Sequence, residues 1–250
     1  MTSDLRYSTI LLDVGETLIT ADPPFGVVYS RVLAAHGVTA EADQLRRVIQ
    51  ELWTAIPQDL PPGTDRFRVF GGGEEEFWRR FVQQVVTRIA GRPLADEKAN
   101  QALTEIREAF LDRRAWSVFD DVIPTLAALD EQGVRLGVVS NWDSNLPRIL
   151  DALDLHDPFE TVVVSHLEGI EKPSPELFMV ALDRLGVRPN EVLHIGDMPD
   201  LDAGGASAAG IDAMVVNRRG RLDETTPGVL PDLWRLPQIA RSGAPIYESR

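Results

Sequence analysis

The sequence predicts an α/β fold: a doubly wound parallel sheet with an all-helical domain inserted after its first strand. Short apolar runs rich in Val, Ile and Leu alternate along the chain with helical patterns. This alternation is typical of strands joined by right-handed helical crossovers, with helices on both faces of the sheet. A helical stretch that is much longer than one crossover helix follows the first run, and it predicts the insertion.

Five apolar runs are predicted to be buried strands. Apolar residues occupy successive positions in these runs rather than alternate ones, as in strands that are covered on both faces. The runs are residues 8–14, 134–140, 161–165, 191–197 and 212–217. Their spacing leaves room for a helix in most of the connections, so we expect one parallel sheet.

Helical patterns lie between the runs. Residues 122–133 place Ile123, Leu126 and Leu129 on one side and end with a glycine, which commonly follows a helix C-terminus. Residues 174–186 begin with Ser-Pro, a typical N-cap and first helical position, and also end with glycine. These patterns predict the helices that pack on the sheet.

The predicted insertion covers residues 20–117, so the sheet domain consists of residues 1–19 and 118–250. Residues 57–73 of the insertion are predicted to form a loop, and residues 218–250 a last helix and a tail of the sheet domain. The helical patterns of the insertion are residues 26–37, 41–56, 74–91 and 96–114.

Composition restricts the class of partner and the compartment. The formal net charge of −14 disfavours a nucleic-acid backbone as the main partner, because a polyanion would be repelled. No apolar stretch approaches the length of about 20 residues that a membrane helix needs. The chain has no cysteine, which excludes disulfides and thiolate metal sites and fits a cytoplasmic location. The composition leaves the oligomeric state open.

Polar residues end three of the predicted strands. Asp13, Ser140 and Asp197 each follow an apolar run. In doubly wound sheets, ligands bind at the carboxyl ends of the strands, so we expect these side chains to converge. Lysine is rare in this arginine-rich chain, with only Lys98 and Lys172 present, and Lys172 precedes one of the core helices. A compact ammonium there would suit a charged site.

Four short segments combine these residues in a recognisable order. In this order, and on the expected strand ends, they resemble the four motifs of the haloacid dehalogenase-like hydrolase superfamily, and the helical insertion resembles the helical cap of that family. The resemblance implies a Rossmann-like core and covers nearly the whole chain. The segments are DVGET (from Asp13), SNWD (from Ser140), KPSPELF (from Lys172) and GDMPDLDAGGASAAG (with Asp197 and Asp202).

The resemblance implies a Mg²⁺-dependent phosphatase acting on a small phosphorylated substrate. It assigns Asp13 as the nucleophile that forms an aspartyl-phosphate, and Lys172 as a cation beside the phosphate. Ser140 and Asn141 would hold phosphate oxygens, and Trp142 would line the substrate site.

The resemblance also implies the metal ligands. They would be Asp13, the backbone carbonyl of Gly15, Asp197 and, by its spacing, Asp202 in preference to Asp200. Mg²⁺ suits such a site, because every donor is an oxygen. Nothing in the sequence identifies the substrate beyond its phosphate.

One catalytic group of the family is missing. Most family phosphatases carry a second aspartate two residues after the nucleophile, where this chain has Gly15. General acid–base help of this kind is worth about 10²–10⁴-fold, and its loss would affect aryl and acyl phosphates least. Glu16 either replaces the missing acid or points to solvent. The alternatives left open are a 2-haloacid dehalogenase, a phosphonate hydrolase, or a weakly active member that binds a phosphorylated ligand or a protein.

Overall fold

Six parallel strands form the central sheet of the structure, a computed structural model that describes residues 5–56, 61, 63–68 and 70–247. The strands of the protein are β1 (Thr9–Leu12), β2 (Ile19–Ala21), β3 (Trp116–Val118), β4 (Arg135–Ser140), β5 (Thr161–Val164), β6 (Val192–Gly196), β7 (Asp212–Val216) and β8 (Val229–Leu230). Their order in the sheet is β5-β4-β1-β6-β7-β8. The predicted doubly wound α/β fold is therefore confirmed.

Within the described residues, ten helices surround or follow these strands. They are α1 (Phe25–Ala35), α2 (Ala42–Ala55), α3 (Gly73–Ala90), α4 (Asp96–Leu111), α5 (Val122–Glu131), α6 (Leu146–Ala152), α7 (Ser165–Glu168), α8 (Pro175–Leu185), α9 (Gly205–Ala208) and α10 (Leu236–Ser242). Helices α5, α6 and α10 contribute to one buried apolar cluster of the sheet, and α8 and α9 to another.

The two clusters lie on opposite faces of the sheet because successive side chains of a strand point in opposite directions. Ile10 and Leu12 of β1 belong to the cluster with α5, and Leu11 between them belongs to the cluster with α8. The same alternation separates Val138 from Val139 in β4. Both faces are therefore covered, which explains why the strand sequences are continuously apolar.

Helix α5 differs from its prediction in the side that it buries. Val122, Leu126 and Leu129 are buried, whereas Ile123 is 60% exposed. Spacings of four and then three residues keep side chains on one face of a 3.6-residue helix, while two successive spacings of three, as in 123–126–129, drift away from it.

The insertion begins and ends at a small antiparallel pair, β2 and β3, which the sequence patterns did not predict. Helices α1–α4 lie between these strands and share their own buried cluster, which includes Leu33, Leu45 and Val85. The domain boundaries at residues 19/20 and 117/118 stay a prediction. Strand β8, within the predicted C-terminal helix and tail, was likewise not predicted.

Part of the predicted loop 57–73 lies outside the described residues, namely 57–60, 62 and 69. Its described part contains a 3₁₀ turn, Arg66–Arg68, and buries Asp65, Arg66 and Phe67. This segment packs on the core and is therefore more than a solvent-exposed connection. Among the described residues, no helix is long and apolar enough to cross a membrane.

Candidate active site

Asp13 lies directly after β1, at the centre of the carboxyl edge of the sheet. Its backbone N–H donates to the carbonyl of Ile195 at 2.9 Å, which continues the pairing with β6 and fixes the residue between two strands. The side chain is buried, with 7% of the residue exposed. A carboxylate held at this depth needs a charged or hydrogen-bonding partner.

Lys172 supplies that partner from the loop between α7 and α8. Its buried Nζ donates to Asp13 Oδ1 at 2.7 Å, to Asp202 Oδ1 at 2.6 Å and to the carbonyl of Val139 at 3.0 Å. The three ammonium protons are thus all used. Burial lowers the pKa of Lys172, but the two carboxylates outweigh it and raise that pKa overall, so the side chain is charged.

Asp202 lies in a π-helical turn, Pro199–Gly204, and is fully enclosed. Besides Lys172, its oxygens contact His194 Nε2 at 3.0 Å and accept from the backbone N–H of Met198 at 2.9 Å. Burial raises the pKa of Asp202, but Lys172 and His194 lower it overall, so the carboxylate is ionised. The geometry favours a role in holding Lys172 over direct metal ligation, because both oxygens already have protein partners.

Gly196, the last residue of β6, makes room for this carboxylate. A Cβ atom added to Gly196 would lie 2.0 Å from Asp202 Cγ, so any side chain there would displace the acid. Asp200 is exposed, whereas Asp202 is enclosed, which agrees with the preference for Asp202 on spacing.

Ser140 is the last residue of β4, beside Asp13, and Asn141 follows it. Burial raises the pKa of Asp13, and Lys172 and a hydrogen bond from the Ser140 hydroxyl oppose that effect. The Asn141 amide pairs with the backbone of Lys172: Nδ2 donates to its carbonyl at 3.0 Å and Oδ1 accepts from its N–H at 2.7 Å. In this structure Asn141 therefore positions the loop of Lys172.

Asp197 completes a cluster of three carboxylates. Oxygen atoms of Asp13, Asp197 and Asp202 all lie within 4.8 Å of one another. Within the described part of the chain, Asp197 has no hydrogen-bond partner. Burial, followed by the negative charges of Asp13 and Asp202, raises its pKa to about 7. Three acids facing one lysine leave an excess of negative charge, which a divalent cation with oxygen ligands would neutralise.

The turn after Asp13 contains Gly15 and Glu16. Glu16 has a left-handed backbone with φ of 56°, which is unfavourable for a residue with a side chain. Its carboxylate accepts from Thr20 Oγ1 at 2.8 Å and from Arg219 Nε at 2.9 Å. Burial raises the pKa of Glu16, but Arg219 and Thr20 lower it overall. Glu16 is thus partly exposed but held by Arg219 and Thr20 in its ionised form, so the geometry does not support it as a proton donor.

Trp142 covers the position where family phosphatases carry the second acid. A Cβ atom added to Gly15 would lie 3.2 Å from Trp142 Cζ3, a tight contact. The backbone N–H of Trp142 donates to Ser165 Oγ at 3.1 Å, and its carbonyl accepts from the same hydroxyl at 3.2 Å. The backbone of Trp142 is therefore anchored and its ring lies next to Gly15; a role in lining the substrate site stays a prediction.

Sequence reasoning missed three residues of this region. They are His194, which contacts Asp202, Arg219, which pairs with Glu16, and Arg218, which donates to the carbonyl of Thr17 at 2.9 Å. Arg218 and Arg219 follow β7, so the rule that ligand sites form at the carboxyl ends of strands could have indicated them. His194 lies inside an apolar strand, and nothing in the sequence pattern signals its contact.

The insertion contacts the loop of Lys172 directly. Arg66 Nε donates to Glu171 Oε2 at 2.8 Å and Arg66 Nη2 to Glu171 Oε1 at 3.2 Å, so the two side chains form a buried bidentate pair. The backbone N–H of Glu171 also donates to the carbonyl of Gly63 at 3.1 Å. One residue before the buried lysine, the loop is thus bound to the insertion by both side chain and backbone.

Comparisons with known proteins agree with this geometry. A family model described as haloacid dehalogenase-like hydrolase matches residues 7–210. The mouse haloacid dehalogenase-like hydrolase domain-containing protein 3 is 30% identical over 245 residues, covering 96% of this chain and 94% of that protein. The phosphoserine phosphatase of Thermus thermophilus is 32% identical over 187 residues, covering 74% of this chain and 69% of that protein.

A solved structure shares the fold. The magnesium-bound structure of YfnB from Bacillus subtilis, described as a HAD-hydrolase, has a TM-score of 0.72 and 20% identity, and covers 94% of this chain and 99% of its own. The family model spans most of the chain and both the motifs and the sheet agree with it. The chain therefore belongs to the haloacid dehalogenase-like hydrolases, as its four motifs predict, and is a hydrolase.

Proposed function

We propose that this hydrolase is a Mg²⁺-dependent phosphatase that cleaves a small phosphorylated metabolite through an aspartyl-phosphate on Asp13. The observation that carries the proposal is the buried Lys172, which joins Asp13 and Asp202 at 2.7 and 2.6 Å beside the third acid, Asp197. A carboxylate can approach a phosphate dianion only where positive charge neutralises both. This cluster supplies one fixed cation and the ligands for another.

Asp13 performs the first step. One of its oxygens forms a bond to phosphorus while the bond from phosphorus to the leaving oxygen breaks, and the electron pair of that bond stays on the leaving group. In the second step water attacks the aspartyl-phosphate, releases inorganic phosphate and restores the carboxylate. Lys172 favours the ionised form of Asp13 and orients it, because its ammonium is fixed by three acceptors.

The acidic cluster suits Mg²⁺ on the chemistry of its donors, which are all oxygens. Asp13 and Asp197 would hold the ion, with the carbonyl of Gly15 as a further ligand. When bound, Mg²⁺ supplies positive charge beside the phosphate oxygens. Asp202 and Asn141 hold Lys172, and the Ser140 hydroxyl and backbone groups after β4 remain beside Asp13 to contact the phosphate.

Named relatives support the phosphatase class. The Thermus thermophilus relative is named as a phosphoserine phosphatase, and a Methanopyrus kandleri protein that matches 44% of this chain is named as a glyceraldehyde 3-phosphate phosphatase. Both names specify small phosphorylated substrates. We infer a substrate of that general size for this chain.

The proposal is tested by phosphate release from acetyl phosphate and p-nitrophenyl phosphate, each with Mg²⁺ and with EDTA. We expect turnover that requires Mg²⁺ and that falls by at least about 10³-fold in Asp13→Asn, which keeps the size of the side chain. Asp200→Asn, an exposed acid of the same region, is the matched control and should retain activity. Turnover that survives in Asp13→Asn would refute the proposal.

Gly15 also favours a second candidate, hydrolysis of a 2-haloacid, because a halide leaves without a proton. Chloride release from 2-chloropropionate that is independent of Mg²⁺ would support it. Absence of turnover on every compound would instead support a member that only binds a phosphorylated ligand or a protein.

A further inference from the structure

We propose that a row of four aromatic side chains, which starts at the Trp142 ring next to Gly15, forms the leaving-group subsite, and that the substrate is a phosphate monoester of a phenol or another flat aromatic alcohol. We call this set, Trp142, Trp116, Phe110 and Phe25, the aromatic shelf. The proposal deepens the proposed function and rests on it, because it specifies the group attached to the phosphate that Asp13 attacks.

The shelf is continuous from the catalytic turn to the surface. The ring centroids of Trp142 and Trp116 are 5.4 Å apart, and those of Trp116 and Phe110 are 5.9 Å apart. Phe25 lies 5.1 Å from Phe110 and 6.0 Å from Trp116, and 41% of it is exposed. Trp142, Trp116 and Phe110 are only partly buried, so each keeps part of its surface exposed.

The rings have fixed positions. Both backbone groups of Trp142 hydrogen-bond to the Ser165 hydroxyl, and Trp116 Nε1 donates to the carbonyl of Phe110 at 2.8 Å. The rings come from four different parts of the chain. Phe25 is the first residue of α1, Phe110 lies in α4, Trp116 is the first residue of β3, and Trp142 follows β4. Rings that are already ordered lose little conformational freedom when a ligand binds, so stacking contributes fully to affinity.

The chemistry of the turn points to the same class of leaving group. Gly15 offers no acid, a Cβ atom there would lie only 3.2 Å from the Trp142 ring, and Glu16 is paired with Arg219. The leaving oxygen therefore departs as an anion. A phenol, with a pKa of about 10, does so far more readily than an aliphatic alcohol, whose pKa is near that of water, about 15.7.

The step balances without a proton donor from the protein. A bond forms from an Asp13 oxygen to phosphorus, and the bond from phosphorus to the phenolic oxygen breaks. The electron pair of that bond stays on the phenolate, which takes its proton from solvent after release. Acyl phosphates also need no acid, but a small acyl group has no flat face to stack on the shelf.

The test is the ratio of kcat/KM for 1-naphthyl phosphate to kcat/KM for acetyl phosphate, measured with Mg²⁺ present. A ring contact contributes about 3- to 10-fold, so we expect this ratio to fall by that factor in Phe25→Leu and in Trp116→Leu. Trp116→Phe restores a ring and should recover most of the ratio. Trp234→Leu, which removes an exposed tryptophan outside the shelf, is the matched control and should not change it.

The possible results distinguish failure of the aromatic shelf from failure of the proposed phosphatase function. Acetyl phosphate turnover that depends on Asp13, combined with an unchanged ratio in both shelf variants, overturns the shelf and leaves the phosphatase intact. The same holds if glycerol 3-phosphate is a better substrate than 1-naphthyl phosphate. Absence of turnover on both test compounds overturns the proposed function and the shelf together. Phe25 is exposed, so Phe25→Leu should fold, and its circular dichroism spectrum checks this.

Discussion

Replacing Asp197 by asparagine should make the metal-free protein more stable. The change keeps the size of the side chain and removes a negative charge that faces Asp13 and Asp202. Burial and these two charges raise the pKa of Asp197 from 3.8 to about 7. Because the folded state binds this proton more tightly than the unfolded state, the free energy of unfolding falls as the pH rises between these two values.

The size of the effect follows from the pKa difference. Each pKa unit corresponds to about 1.4 kcal/mol, so ionising Asp197 in the folded protein costs at most about 4 kcal/mol at pH 8 and about 2 kcal/mol at pH 5.5. Below pH 3.8 the carboxyl is protonated in both states and the cost disappears. Asp197→Asn removes the cost, so its advantage over the wild type should grow with pH.

Urea unfolding in EDTA at pH 5.5 and pH 8 measures this advantage. Asp200→Asn, which removes an exposed charge nearby, is the control and should change the free energy of unfolding by less than about 0.5 kcal/mol. Added Mg²⁺ should stabilise the wild type and have little effect on Asp197→Asn. An Asp197→Asn protein that is no more stable than the wild type at pH 8 in EDTA would refute the electrostatic reasoning.

Three further substitutions test the charged groups around the site. Lys172→Met leaves two buried carboxylates without their cation, so it should lower the free energy of unfolding by about 3–5 kcal/mol in urea titrations and abolish phosphate release; a stable variant would contradict the bridging role. Glu16→Gln should keep kcat/KM on p-nitrophenyl phosphate within about threefold, because Arg219 already holds the carboxylate in its ionised form. A tenfold loss with Glu16→Gln would instead identify it as the missing acid. Arg66→Met leaves the Glu171 carboxylate buried without its cation, and should cost about 3–5 kcal/mol in the same urea assay, whereas loss of a solvent-exposed pair would cost less than about 1 kcal/mol.

The sheet and most of the site could be predicted because they depend on local patterns. Continuous apolar runs predict the positions of five strands. The rule that ligand sites form at the carboxyl ends of strands predicts that Asp13, Ser140 and Asp197 lie at one edge of the sheet. Strands β2, β3 and β8 have only three, three and two residues, too short for any periodicity to emerge. Their pairing depends on tertiary contacts.

The contacts of the site that the sequence could not predict join residues that are distant in the chain. Glu16 and Arg219 are 203 residues apart, and Arg66 and Glu171 are 105 apart, so no spacing rule connects them. The sequence could show that the second acid is absent at Gly15. It could not show that the Trp142 ring lies over that position, because this depends on where the β4 loop packs.

The ion pair of Arg66 and Glu171 connects segment 63–68 to the loop that carries Lys172. Both charges are buried and the pair adjoins Lys172, so separating them exposes each to water or leaves it unpaired in the interior. A displacement of segment 63–68 would therefore strain the loop that carries Lys172, whose ammonium contacts Asp13. The position of segment 63–68 is thus linked, through Glu171, to that of the lysine beside Asp13.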